Sequence, residues 1–325
     1  MTIAAEPIVR VADLRVSFGS RAVLHGLTFA VERGEIFGFI GPNGAGKTTT
    51  IRTLATLLQT HQGEVWIDGV NVLEAPEEVR RRIGYMPDYV GVYPGLTVQE
   101  YLEFFAAAYR IRGARRRSTV ADVVELTELG ALRDREVQVL SKGMRQRLCL
   151  AQTLLHDPKL LILDEPASGL DPRARVEFRM LLRELREMGK TIFLSSHILT
   201  ELSTICDSVG IIEQGRLITA GRVQSILEEL RGESVGFVVT LVSGGSASGS
   251  ERGHEPFVER LNSHRDVHGA RLEGARVRFR YSGTEEDLHA VFAVFTAHRV
   301  SFCRVEREEE DLESVFMKLT RGEVS

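Results

Sequence analysis

The segment Gly41-Pro42-Asn43-Gly44-Ala45-Gly46-Lys47-Thr48, followed by Thr49, has the spacing G-x-x-x-x-G-K-T. That spacing suits a phosphate chain. Gly41, Gly44 and Gly46 let the backbone curl without Cβ clashes. Successive N–H groups and a following helix N-terminus then face an anion. The Lys47 ammonium can bridge β- and γ-phosphates, and the Thr48 hydroxyl can ligate Mg²⁺. A second piece of the same chemistry is Leu-Leu-Ile-Leu-Asp-Glu-Pro at 160–166. An apolar strand ending in two carboxylates puts Asp164 near the metal and lets Glu165 polarise an attacking water.

Two further stretches narrow the class. In 140–155, Ser141 and Gly143 stand where helical spacing begins, with Met144, Leu148, Ala151 and Leu155 on one face. A helix N-terminus with a serine hydroxyl is another anion site. One nucleotide needs only one phosphate loop, so a second anion site asks for a second nucleotide. Ser-Gly-Leu-Asp-Pro at 168–172 follows the carboxylates, and a strand-like run ends at His197. Asp164, Glu165 and His197 all terminate strands, so the three can converge.

These residues need a scaffold. Residues 8–31 and 64–72 alternate apolar and polar positions and read as antiparallel strands. Residues 35–40, 159–166 and 191–197 read as buried strands. Residues 47–59, 97–111 (N-capped by Thr97) and 172–189 have helical spacing. Strands alternating with helices imply a parallel sheet with helices packed on it. From about residue 232 the order changes to strand, helix, two strands around Glu273-Gly274, helix, strand and a last helix at 311–320. A Gly/Ser-rich loop at 244–250 falls inside it. That βαββαβ order suggests a ferredoxin-like α+β sandwich. The domain reading is 1–231 and 232–325. The second part carries no catalytic constellation: His254, His264 and His268 read as surface residues, and its expected role is dimerisation or regulation.

The phosphate loop, Leu-Ser-Lys-Gly-Met at 140–144, Leu-Asp-Glu at 163–165, Ser-Gly-Leu-Asp at 168–171 and His197 occur in the order and spacing of one family. Over residues 8–225 the chain resembles the ATPase subunit of an ATP-binding cassette (ABC) transporter, in the export branch whose membrane subunit is a separate chain. The resemblance implies an α/β P-loop fold with an antiparallel β subdomain and a helical subdomain at about 89–157. It implies ATP and Mg²⁺ as ligands. It also implies a head-to-tail dimer, homodimeric or with a related ATPase, in which Ser141 and Gly143 close over the partner's γ-phosphate. By the same resemblance His197 holds the γ-phosphate and water, Phe18 stacks on adenine, and the subunit sits on the cytoplasmic face of the membrane through an integral membrane permease.

The chain departs from the family at two places. Lys142 stands where a second glycine is usual and Met144 where a glutamine is usual; Lys142 is expected to point to solvent. Asp88 replaces the glutamine that reaches the metal and water. Its carboxylate still offers a hard oxygen to Mg²⁺. After it, Tyr89, Val90 and Tyr93 are expected to wall a groove for a short helix of the membrane subunit. Tyr101, Leu102, Phe104 and Phe105 on the next helix read mostly as core. The basic run at 110–117 reads as a solvated helix end.

Composition bounds the alternatives. A 325-residue chain, 43% hydrophobic and 26% charged, is ordinary for globular domains. A net charge of −4 argues against nucleic acid as the main partner. Cys149, Cys206 and Cys303 follow no metal or disulfide pattern. The first residues do not read as a signal peptide, and no run reads as a spanning helix. Two other functions fit less well. A soluble ABC ATPase acting on ribosomes or DNA usually carries two cassettes or a long coiled coil. A small-molecule P-loop kinase would lack the 140–144, 168–171 and His197 set.

Overall fold

The computed structural model describes residues 6–59, 62–89, 91, 93–198, 204–231, 235–242, 255–284 and 286–308. They group into two compact units, one running to Val223 and the other starting at Gln224.

The first unit holds two sheets. Strands β1 (Val9–Phe18), β2 (Arg21–Val31), β4 (Gln62–Ile67) and β5 (Val70–Asn71) form an antiparallel sheet in the order β2-β1-β4-β5. β1 reads buried at Val9, Val11, Leu14 and Val16, with polar residues between, so one face turns to the core. The second sheet has six strands: β3 (Ile36–Ile40), β6 (Ile83–Met86), β7 (Leu160–Leu163), β8 (Thr191–Ser196), β9 (Ser208–Glu213) and β10 (Arg216–Arg222), in the order β10-β9-β3-β8-β7-β6. All pairs are parallel except β9–β10. β3, β7 and β8 are buried along their whole length, which is why they read as continuous apolar runs. The two sheets meet through rings. Phe29 of β2 stacks on Phe37, Phe39 and Phe193 at centroid distances of 5.8, 5.5 and 6.1 Å. An ion cluster around one buried carboxylate also ties them: Asp68, after β4, faces Arg33, Arg82 and Lys159 at 2.6, 2.6 and 2.9 Å.

Helices α1 (Lys47–Leu54), α2 (Pro76–Arg82), α3 (Val98–Ala108), α4 (Gly113–Leu126), α5 (Lys142–Leu154) and α6 (Pro172–Glu187) complete this unit. Thr97 caps α3 as expected, in a reciprocal pair with Glu100. α1 stops at Leu54, short of residue 59, because Thr56 turns left-handed with φ 60°. Tyr85 and Met86, at the head of the aromatic loop, are the end of β6; Pro87 has no N–H to continue the ladder. α2 and α4 escape the sequence reading. α2 buries only Val79, and α4 opens on the basic run, whose arginines are exposed except for half-buried Arg116, so neither shows a strong apolar stripe.

The second unit begins within α7 (Val223–Arg231). The reading at 231/232 follows the change in composition and so differs by the length of this helix. Strands β11 (Val235–Leu241), β12 (Val267–Glu273), β13 (Arg276–Tyr281) and β14 (Phe302–Glu308) pair antiparallel in the order β12-β13-β11-β14. Helices α8 (Glu255–Asn262) and α9 (Leu288–Ala297) supply Phe257, Leu261, Val291 and Phe295 to a core with Phe237, Val239, Val277 and Phe279. This is the strand order of the βαββαβ sandwich. His264 accepts the Asp266 N–H, and His268 bonds Ser282. The expected loop at 244–250, His254 and the helix at 311–320 lie outside the described residues. Among the described residues no helix is long and apolar enough to cross a membrane.

Candidate nucleotide site

The strand order assembles the site. β3, β8, β7 and β6 are neighbours and run the same way. Ligands bind at the carboxyl edge of such sheets. From that edge emerge the loop 41–46, then His197, then Asp164 and Glu165, then Asp88. All but Gly41, Ala45 and Asp164 are among the residues lining one cleft of about 460 Å³, together with Lys47, Thr48 and Thr49. Ser168, the first residue of the Ser-Gly-Leu-Asp stretch, also lines it, as does Val23, which the sequence reading does not single out.

The loop is shaped for close backbone approach. Gly46 has φ 110°, and a Cβ there would lie 2.6 Å from Leu24 Cδ2. A Cβ on Gly41 would lie 2.2 Å from the Ile212 carbonyl oxygen. Gly44, in contrast, faces open space at φ 81°. α1 begins directly after Gly46 with no side-chain cap, so its first N–H groups remain available to an anion. Lys47 is buried, and its Nζ donates to the carbonyls of Gly41 (2.7 Å) and Pro42 (3.2 Å).

Lys47 Nζ also lies 3.4 Å from Glu165 Oε1, and His197 Nδ1 lies 2.8 Å from Glu165 Oε2. Glu165 thus links the phosphate loop to the β8 histidine. Its backbone is left-handed, φ 48°, a strained state for a non-glycine residue. The Glu165 N–H donates to Ser195 Oγ at 3.0 Å, and the Ser195 hydroxyl donates to Asp164 Oδ1 at 2.7 Å. Ser196 Oγ accepts the Ile198 N–H at 3.0 Å, fixing the turn that carries His197. Both serines of the Ser-Ser-His stretch therefore serve the site. The sequence signal was there, two hydroxyls ending a buried strand, but only pairing β8 with β7 gives it meaning.

Burial pushes the Asp164 carboxyl above its ordinary range. The hydroxyls of Ser195 and Thr48 pull it back down, while Asp88 and Glu165 add to the rise. Such a carboxylate is stabilised by a cation. Among the described residues no group of three or more His, Cys, Asp or Glu side chains could hold a metal alone. Thr48 and one or two of these carboxylates offer hard oxygens of the kind that would suit Mg²⁺.

Three expected residues lie elsewhere. Ser141 caps α5, accepting the Met144 N–H at 3.3 Å, and neither it nor Gly143 is among the residues lining the cleft of its own chain. Phe18 ends β1, 51% exposed, and does not appear in the phosphate cleft lining. Lys142 is exposed, as expected, and its ammonium lies against Gly169, where an added Cβ would be only 2.3 Å away. On the aromatic loop Tyr89 is 84% exposed. Tyr93 packs on Phe104, Phe105 and Tyr101 yet stays 54% exposed. Tyr101 and Leu102 are core as expected, but Phe104 is half-exposed because it sits on the shoulder of the α3 stripe. Val90 lies outside the described residues.

The family model described as ABC transporter matches residues 24–168. The Nod factor export ATP-binding protein I of Ralstonia nicotianae is 33% identical over 99% of this chain and 96% of its own length. The bacitracin transport ATP-binding protein of Bacillus licheniformis is 33% identical over 97% of this chain and 98% of its own. The linearmycin resistance ATP-binding protein of Bacillus subtilis is 28% identical over 96% of this chain and 98% of its own. Among solved structures, an ATP-binding subunit of an ABC transporter superposes with TM-score 0.62 at 33% identity, covering 69% of this chain and 93% of that one. CbiO1 of Clostridium perfringens, part of the transporter complex CbiONQ, does so with TM-score 0.65 at 27% identity, covering 70% of this chain and 94% of that one.

Proposed function

Because this chain belongs to the ABC transporter family, whose ATP-binding domains bind and hydrolyse ATP, we propose that it is the motor subunit of an exporter with a separate membrane permease. The observation that carries the site assignment is Glu165, held between Lys47 at 3.4 Å and His197 at 2.8 Å beside the phosphate loop. Lys47 and the α1 N–H groups bind the β- and γ-phosphates and orient the terminal phosphorus. Glu165 receives the proton of the attacking water. His197 orients Glu165 through Nδ1 and leaves its other ring nitrogen for the γ-phosphate. Thr48 and Asp164, with Asp88 beside them, would hold a Mg²⁺ ion, which would supply charge neutralisation at the phosphates.

Ser141 and Gly143 belong to the reading as a partner's contribution. Their absence from the lining of their own cleft supports a head-to-tail pair, a homodimer or a pair with a related ATPase. Phe18, exposed at the end of β1, is assigned to adenine stacking. The names of the relatives, Nod factor export and bacitracin transport, support outward transport, and their alignments span the C-terminal unit as well. That unit, residues 232–325 in the sequence reading, is assigned to dimerisation or regulation. Exposed Tyr89, Tyr93 and Phe104 are assigned to contact with the permease on the cytoplasmic face of the membrane.

The test is Glu165→Gln in the full chain. Turnover should fall by about 10²–10⁴-fold while ATP affinity is kept, and ATP should now hold a stable dimer in sedimentation. Wild-type turnover in this variant would refute the hydrolytic role of Glu165.

A further inference from the structure

We infer that Ser195 is a positioning residue whose single hydroxyl fixes the metal carboxylate and the hydrolytic carboxylate as one unit. The inference rests on the roles proposed for Asp164 and Glu165. Ser195 is fully buried on β8. It pairs with Phe39 of β3 on one side, and on the other it follows the Leu163–Leu194 pair, which places it beside Asp164.

A serine hydroxyl has one proton and two acceptor lone pairs. The proton goes to Asp164 Oδ1 at 2.7 Å, so the oxygen is turned to accept the Glu165 N–H at 3.0 Å. The two bonds therefore depend on each other. The backbone around them is held on both sides. The Asp164 N–H donates to the Met86 carbonyl at 2.9 Å, and the Ser168 N–H donates to the Glu165 carbonyl at 3.0 Å. Between these anchors the chain takes the left-handed turn at Glu165. Without the hydroxyl, the Glu165 amide and Asp164 Oδ1 both lose a partner in a dry interior, and the strained turn loses the bond that holds it. Mg²⁺ demands near-ideal octahedral placement of its oxygens, and a water-polarising carboxylate must stay within hydrogen-bond reach. One hydroxyl controls both conditions. Its neighbour Ser196 accepts the Ile198 N–H in the turn carrying His197, so the two serines have separate tasks.

The experiment compares Ser195→Thr, which keeps the hydroxyl, with Ser195→Val, which has the same shape without it, in the full chain. Two readouts are taken: Mn²⁺ affinity in the presence of a non-hydrolysable ATP analogue, by electron paramagnetic resonance, and kcat against KM for ATP. Ser195→Val should weaken Mn²⁺ binding about tenfold and lower kcat about 10²-fold, leaving metal-free ATP affinity unchanged. Ser195→Thr should restore both. If Thr and Val behave alike in Mn²⁺ affinity and kcat, the inference is wrong. Should the Val variant fail to fold, Ser195→Ala carries the same readouts. Parallel Asp164→Asn and Glu165→Gln variants separate the failures. If they leave Mn²⁺ affinity and turnover at wild-type values, the underlying role assignments fall, whatever Ser195 does.

Discussion

Asp68→Asn offers a quantitative check on how the two sheets of the nucleotide-binding unit are joined. The Asp68 side chain is only 7% exposed. Burial alone would raise its pKa, but hydrogen bonds from Lys159, Arg33 and Arg82 outweigh it and hold the carboxyl at about 2, against an ordinary 3.8. At ~1.36 kcal/mol per pH unit, that displacement is worth about 2 kcal/mol. Because the folded pKa is depressed, this stability is fully present above the unfolded value and is lost as pH falls through the folded one. Asparagine is the right probe. It keeps the shape, tolerates the left-handed backbone at this position (φ 49°), and removes the charge together with one acceptor oxygen. The three cations are 40%, 29% and 63% exposed, so water can receive them in the variant. The assay is urea unfolding followed by the fluorescence of Trp66, the sole tryptophan, two residues away on β4. The variant should lose about 2 kcal/mol at pH 7, with the deficit about halved near pH 3. A deficit that is the same at pH 7 and pH 3, or none at pH 7, would refute the reasoning.

Three further outcomes are expected. Asp164→Asn should raise the Tm of the metal-free full chain at neutral pH, since burial disfavours the charge, while abolishing Mg²⁺-dependent hydrolysis; a lowered Tm in calorimetry would contradict this. Asp88→Gln and Asp88→Ala should both shift the Mg²⁺ dependence of hydrolysis, and unchanged dependence in both would remove Asp88 from the metal's surroundings. Tyr89→Ala with Tyr93→Ala should uncouple ATP turnover from transport in the assembled complex without altering nucleotide affinity, because these rings are exposed at 84% and 54%; weaker ATP binding by the isolated subunit would assign them to the subunit's own packing.

The phosphate loop, the Asp164-Glu165 pair and the β11–β14 sandwich were legible in the sequence for a local reason. Each is encoded by residues within a few positions of one another: glycines that permit positive φ, an apolar run ended by carboxylates, and regular alternation between turns. α2 was not legible because it buries only Val79, and α4 was not because an exposed basic run opens it ahead of buried Val120, Val123 and Val124. Thr97 could be read as the cap of α3 because a hydroxyl directly ahead of a helical pattern is a local signal. What tertiary structure alone decided is adjacency. Sequence places Ser195 some thirty residues from Asp164 and gives no hint that its hydroxyl bonds both the Asp164 carboxylate and the Glu165 backbone N–H. Likewise Asp68 meets Arg33, Arg82 and Lys159 only where two sheets and a helix end converge. Chemistry-bearing residue types are written into short stretches of chain. Which of them touch depends on strand order, and strand order is fixed by the burial of apolar faces across the whole unit.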